Sequence, residues 1–268
     1  MPNLAFSFAI KIVTAISVVG FYGFNQVSSS REIAKESMIA EDCIPSPPSL
    51  NETANAAFYL AAKKADDLDF GEALKLYDIA IQEDPDFFAA YANRGVIYKK
   101  LGSYTKALTD YKTAEVVDPV LASKDGCLYD NMANIFKRQG DYTSAIKFHA
   151  KAVSISPKNP NIYANKCGTL LDMGDYDLAI SDCKMSLEID SQNYLGLYNY
   201  GYTLFLADKE EESIPYLTKA IEIKPTLELY RTRGVAYLLT GKRALACDDI
   251  YTAHDGGDEK ADKWLQFC

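Results

Sequence analysis

Residues 88–119 spell out a helical hairpin, and most of the chain repeats it. Tyr91, Arg94, Gly95 and Tyr98 recur at steps of three and four, which places them on one stripe of a helix. Ala107, Tyr111 and Ala114 form a second stripe, Gly102 and Ser103 interrupt the periodicity between the two, and Pro119 closes the unit. Gly95 and Ala107 are small where the two helices would touch, because close-packed backbones leave no room for a larger side chain. A chain tiled with such hairpins is pushed away from a single globular centre and towards a stack.

The tiling is regular. Pro85 and Pro119 are 34 residues apart, Pro119 and Pro157 are 38 apart, and Ser191 follows Pro157 by 34, with Pro225 after 68. Turns of the form glycine, any residue, aromatic pair Gly102 with Tyr104, Gly140 with Tyr142 and Gly174 with Tyr176. Paired small residues recur as Ala61 with Ala73, Ala133 with Ala145, Cys167 with Ala179, Gly201 with Ser213 and Gly234 with Ala246. A period of 34 with this pattern resembles the tetratricopeptide repeat family. Six units are expected, beginning near Ala54, Phe88, Gly126, Pro160, Tyr194 and Leu227. The resemblance implies an all-α, right-handed α-solenoid over residues 54–257. Residues 258–268 read as one short capping helix with Ala261, Trp264, Leu265 and Cys268 on a face. Departures from the pattern are Leu68 and Asp208 in place of the turn glycine, four extra residues before the third unit, and Pro215 in the fifth, acceptable there if its helix starts near Glu212.

Residues 4–24 are apolar apart from Lys11 and hydroxyl side chains, so 1–29 read as a signal peptide or an uncleaved membrane anchor. Lys11 would cost about 2.5 to 3.5 kcal/mol at mid-membrane, which favours export with a cleaved signal. Residues 30–53, with Pro45, Pro47 and Pro48, read as a linker. Asn51-Glu52-Thr53 has the form of a glycosylation acceptor.

A net charge of -9 argues against general nucleic-acid binding, which needs a clustered basic face. The six cysteines show no metal-ligand spacing. Because Cys167 stands where other units carry Gly or Ala, we expect reduced, buried thiols, the alternative being disulfides joining Cys167 to Cys183 and Cys247 to Cys268. His149 is expected in the core and His254 at a helix end. Asp110, Asp182 and Asp249 recur at one position of units two, four and six, and are read as a solvated or interface row. No phosphate loop, nucleophile elbow or zinc-protease motif is present, so no catalytic residue, metal or cofactor is assigned and the protein is read as a non-enzyme.

What the resemblance implies is protein binding along the first helices of successive hairpins. Asn93, Asn131, Asn165 and Asn199 lie two residues before the small position of units two to five, and a carboxamide there can bond a peptide backbone through both donor and acceptor. Beside them we place Lys99, Asn134, Lys137 and Arg138 in a basic middle section and Tyr198 and Tyr202 in an aromatic section. The expected ligand is a partner peptide with acidic residues towards the middle units and an apolar anchor at unit five. The carboxylate clamp that some family members use for chaperone tails would need Lys and Asn where this chain has Phe58 and Ala62. The expected role is a protein-binding scaffold, periplasmic, secreted or membrane-tethered; a cell-envelope assembly or enzyme-accessory factor and an anchored cytoplasmic adaptor stay as alternatives.

Overall fold

The computed structural model describes residues 49–268, so the reading of 1–29 and most of the linker lie outside the described residues. Among the described residues every regular element is helical. Six hairpins follow one another: α1 (Glu52–Asp66) with α2 (Phe70–Glu83), α3 (Phe88–Lys100) with α4 (Tyr104–Val117), and, after the four-residue α5 (Pro119–Ala122), α6 (Gly126–Arg138) with α7 (Tyr142–Ile155). Then come α8 (Pro160–Met173) with α9 (Tyr176–Ile189), α10 (Tyr194–Leu206) with α11 (Glu210–Ile223), and α12 (Leu227–Leu239) with α13 (Arg243–Asp255). The four extra residues before the third unit are thus a short helix opened by Pro119 and capped by Asp118. The helices group into two compact units divided between Gly196 and Leu197, within α10.

One backbone device closes the first helix of every hairpin. The amide just past the turn donates to a carbonyl five residues back: Asp69 to Lys64 at 2.9 Å, Ser103 to Tyr98 at 2.8 Å, Asp141 to Phe136 at 2.9 Å, Asp175 to Leu170 at 3.0 Å, Lys209 to Leu204 at 2.9 Å and Lys242 to Tyr237 at 2.8 Å. This bond needs a left-handed residue just before the donor. Gly102, Gly140, Gly174 and Gly241 supply it at φ between +73° and +80°, while Leu68 and Asp208 are held in the same region at +64° and +59°. The turn is dictated by the packing of the pair even where its preferred residue is missing.

The hairpin contact itself is a small residue facing a large one sixteen positions later. A Cβ on Gly95 would lie 2.7 Å from the Tyr111 ring, one on Gly201 2.9 Å from Leu217 and one on Gly234 2.9 Å from Ile250. Ala61 and Ala133 take the same place ahead of buried Tyr77 and His149. Only the fourth hairpin departs, with Cys at both positions, and there the structure forms a Cys167–Cys183 disulfide with Cα atoms 5.3 Å apart. A second joins Cys247 to Cys268. The expectation of reduced thiols is therefore corrected: the separation that fits a glycine to a tyrosine also suits a disulfide.

In the first unit, Ser49 to Asn51 are tied to hairpin one: the Asn55 Oδ1 accepts from the Ser49 amide at 2.8 Å and the Asn51 Nδ2 donates to the Glu83 carbonyl at 2.9 Å. Asn51 caps α1, its Oδ1 accepting from the amides of Thr53 and Ala54. The glycosylation-like triplet is thus occupied as a helix cap. In the second unit, α11 begins at Glu210 rather than near Glu212, which leaves Pro215 inside the helix. Residues 258–268 are not one helix either. They form a 3-10 turn (Glu259–Ala261) and α14 (Asp262–Leu265), which bury Ala261 and Trp264 in a core with Val235, Ala236 and Ile250. Gly257 at φ +97° and the bond from the Arg231 guanidinium to Asp258 turn the chain there.

Candidate functional site

The first helices of the hairpins in the first unit are stitched side by side by polar contacts. Lys99, on the last turn of α3, donates its ammonium to Asn131 Oδ1 on α6 at 2.5 Å. Lys137 on α6 pairs with Asp172 on α8 at 3.2 Å. Asn165 on α8 donates Nδ2 to Asp130 Oδ2 on α6 at 2.7 Å, and Asn134, one turn after Asp130, donates to the same oxygen at 3.0 Å. Asp130 therefore gathers two of the predicted carboxamides. It was absent from the predicted set, and its signal in the sequence was the i, i+4 pairing of an acid with an amide on α6.

Asp130 is nearly buried, 8% exposed, and its other oxygen lies 2.9 Å from Nδ1 of His149, which is fully buried on α7. The Nε2 of His149 lies 3.0 Å from Thr169 Oγ1 on α8, and that hydroxyl lies 3.1 Å from the Asn165 carbonyl. Both ring nitrogens are partnered, as the core position expected of His149 requires. Thr169 has no exposed surface, so the Asp130, His149, Thr169 chain has no access for a substrate despite its resemblance to a hydrolytic relay.

In the first unit the asparagine row is a seam between neighbouring hairpins. Asn93 bonds the phenol of Tyr77 in the preceding hairpin; burial drives that phenol's pKa upward and the Asn93 bond opposes the rise. In hairpin one, which the described residues show with no predecessor, the corresponding Tyr59 is 61% exposed. Asn131 and Asn165 are half-buried and engaged as above. The amide oxygens of Asn134 and Asn165 accept no bond among the described residues. Two cations of the basic section also lack partners there: Arg138 is exposed and makes no ion pair, and the ammonium of Lys100 is buried without an acceptor.

In the second unit, Tyr198 donates its hydroxyl to Glu228 at 2.9 Å and stacks on Tyr202 with ring centroids 6.2 Å apart, while Tyr202 meets Phe205 at 6.4 Å. Asn199 is 6% exposed.

The recurring carboxylates are not a solvated row. Asp110 accepts two bonds from the Arg94 guanidinium at 2.9 and 2.6 Å, Asp182 pairs with Lys166 at 2.9 Å, and Asp249 accepts two bonds from Arg233 at 2.7 and 2.8 Å. Asp110 and Asp249 are 4% and 5% exposed, so the surface reading is corrected. Each acid faces a base sixteen residues earlier across the hairpin, in hairpins two, four and six. Hairpins one, three and five have Leu60 and Leu76, Met132 and Phe148, and Tyr200 and Tyr216 at those places. Arg94 also reaches back to Asp78 and Arg233 to Thr218, so each arginine joins its hairpin to the one before.

Stacked hairpins whose polar residues stitch neighbours together, and among which no group of His, Cys, Asp and Glu could hold a metal in the described residues, define a helical-repeat protein. The family is the tetratricopeptide repeat, to which this chain belongs: one model of that family matches residues 64–119 and a second matches 128–159 and 196–227. Among curated proteins, the small glutamine-rich tetratricopeptide repeat-containing protein 2 of Mycosarcoma maydis is 27% identical over 112 residues, 42% of this chain and 31% of that protein. Human tetratricopeptide repeat protein 13 is 25% identical over 171 residues, 63% of this chain and 20% of that protein. The Hsp70-Hsp90 organizing protein of Triticum aestivum is 25% identical over 151 residues, 56% of this chain and 25% of that protein. The chain thus spans less than a third of the length of these relatives. Among solved structures, the type IV pilus biogenesis factor PilW aligns with a TM-score of 0.71 at 19% identity, over 80% of this chain and 99% of that one. The Cut9–Hcn1 structure aligns with a TM-score of 0.71 at 14% identity, over 80% of this chain and 42% of that chain. At such identities the likeness is one of fold.

Proposed function

We propose that this protein is a non-catalytic scaffold that holds an extended, acidic peptide segment of a partner protein along the first-helix face of its middle hairpins. The observation that carries the reading is the fixing of Asn134 and Asn165, on adjacent hairpins, to one Asp130 oxygen with their own amide oxygens left to accept. Two oriented carboxamides suit a peptide main chain, whose amides and carbonyls alternate. Arg138 and the buried, unpartnered Lys100 ammonium support an anionic ligand, since an ammonium out of water without an acceptor is costly until an anion supplies one. A chaperone-tail ligand of the carboxylate-clamp kind is disfavoured by Phe58 and Ala62 at the clamp positions.

The test is affinity of the full chain for peptides that differ only in acidic content. Asn134→Ala with Asn165→Ala is expected to weaken the best peptide about tenfold, the scale of one or two net hydrogen bonds. Lys137→Glu with Arg138→Glu is expected to abolish the salt dependence of binding. Undiminished affinity in the first variant sinks the reading.

We place the protein in an oxidising compartment, exported or tethered through its N-terminus. The two disulfides between described residues support this, and their separation from any metal spacing makes a structural role the simpler one. No helix among the described residues is long and apolar enough to cross a membrane. Sequencing the mature N-terminus and alkylating cysteines in freshly lysed cells tests the placement; reduced thiols in all four positions would refute it.

A further inference from the structure

We infer that His149 is a proton-operated regulator of the peptide face, strengthening the hold on anionic ligand as the pH falls. The inference rests on the peptide-face reading above and adds its regulation.

The hydrogen-bond geometry lets the buried ring take either charge without moving a heavy atom. Asp130 can only accept when ionised, so Nδ1 of His149 carries a proton in both states. Thr169 has one hydroxyl proton and two acceptors in range, Nε2 of His149 at 3.0 Å and the Asn165 carbonyl at 3.1 Å. With the ring neutral, Thr169 donates to Nε2. With the ring protonated, Nε2 donates to Thr169, whose proton turns to the Asn165 carbonyl. Rotation of one hydroxyl exchanges the two arrangements.

The charge change occurs directly behind the carboxamides. With the ring neutral, Asp130 leaves a net negative charge where Asn134 and Asn165 are held. With the ring protonated, the pair is neutral and an anionic peptide meets no repulsion. Among side chains imidazole is the one suited to exchange a proton between about pH 5 and about pH 8, and the hydrogen bonds here accommodate both of its forms. On α4 the fully buried Tyr111 phenol, which Asp110, Asp130 and Asp125 all reach electrostatically, is pushed well up by burial and stays neutral. Asp110 is held by Arg94, and on α8 Lys166 is held by Asp182. The equivalent position is Tyr77 in hairpin one and Tyr111 in hairpin two, so His149 is a departure peculiar to hairpin three.

The chain has two histidines, which makes the ring observable by nuclear magnetic resonance in the full protein. His149 should show both ring nitrogens protonated at the acid end of the range and only Nδ1 at the alkaline end. An acetylated, amidated Glu-Ala repeat peptide should bind about threefold to tenfold more tightly at about pH 6 than at about pH 8, the effect of one charge across a partly screened distance. His149→Tyr should flatten that dependence, and a Gln-Ala repeat peptide should show none with either protein. A ring that keeps one proton throughout, or an unchanged pH slope in His149→Tyr, overturns the inference. Should the variant fail to fold, the ring titration of the unaltered protein decides. Failure of both peptides to bind at every pH counts instead against the peptide-face reading, and a pH-independent Glu-Ala affinity counts against this inference alone.

Discussion

Arg94 does three things at once. It donates to the carboxylate of Asp110 within its own hairpin, reaches Asp78 on the hairpin before, and lies over the rings of Tyr91 and Tyr98 at 5.6 and 5.9 Å. Removing one member of such a pair strands the other in a place with little water. Arg94→Met is expected to cost about 3 kcal/mol, whereas Arg94→Met with Asp110→Phe, which copies the Met132 and Phe148 of hairpin three, should lie within about 1 kcal/mol of the original. Urea unfolding of both variants measures this, and equal destabilisation by the two would show that the ion pair is not separable from its surroundings. The acid row was legible in the sequence, but its partners were not. Sixteen residues is no period of a single helix, and only the folding back of one helix on another brings positions so far apart into contact.

At the scale of the element, the turn is where local preference and tertiary demand meet. Four of the six first helices end on a left-handed glycine, and the glycine-aromatic pattern gave three of those ends from sequence, Gly241 having no aromatic two residues on. Leu68 and Asp208 adopt the same conformation against their preference, at about 1 to 2 kcal/mol for a residue with a Cβ. Leu68→Gly is therefore expected to stabilise the protein by about 0.5 to 1 kcal/mol, after the added flexibility of the unfolded chain is subtracted. A lowered thermal midpoint for that variant would mean that the Leu68 side chain contributes more than its backbone costs. The start of α11 was misplaced for the converse reason. Its acidic first turn of Glu210, Glu211 and Glu212 suits a helix N-terminus, and Pro215 was given more weight than that charge.

The two disulfides that join described residues differ in what surrounds them. Cys167 and Cys183 have no exposed surface, while Cys247 and Cys268 are partly exposed. Under native conditions a small thiol should reduce the Cys247–Cys268 bond first and leave Cys167–Cys183 intact until the hairpin opens. Timed alkylation with mass spectrometry reads the order, and simultaneous loss of both would show that the fourth hairpin opens as readily as the partly exposed pair is reached. Cys167→Gly with Cys183→Leu should restore the pairing that Gly201 and Leu217 make, its packing offsetting most of the roughly 3 kcal/mol lost with the cross-link. By itself the sequence determined the number of hairpins, five of their six starting residues and the small positions between their helices, because periodicity and the size of a side chain are local quantities. Which acid met which base, that Asp130 would gather the carboxamides of two hairpins, and that paired cysteines would join were decided only by the tertiary structure, since each depends on a distance between helices that no stretch of sequence contains.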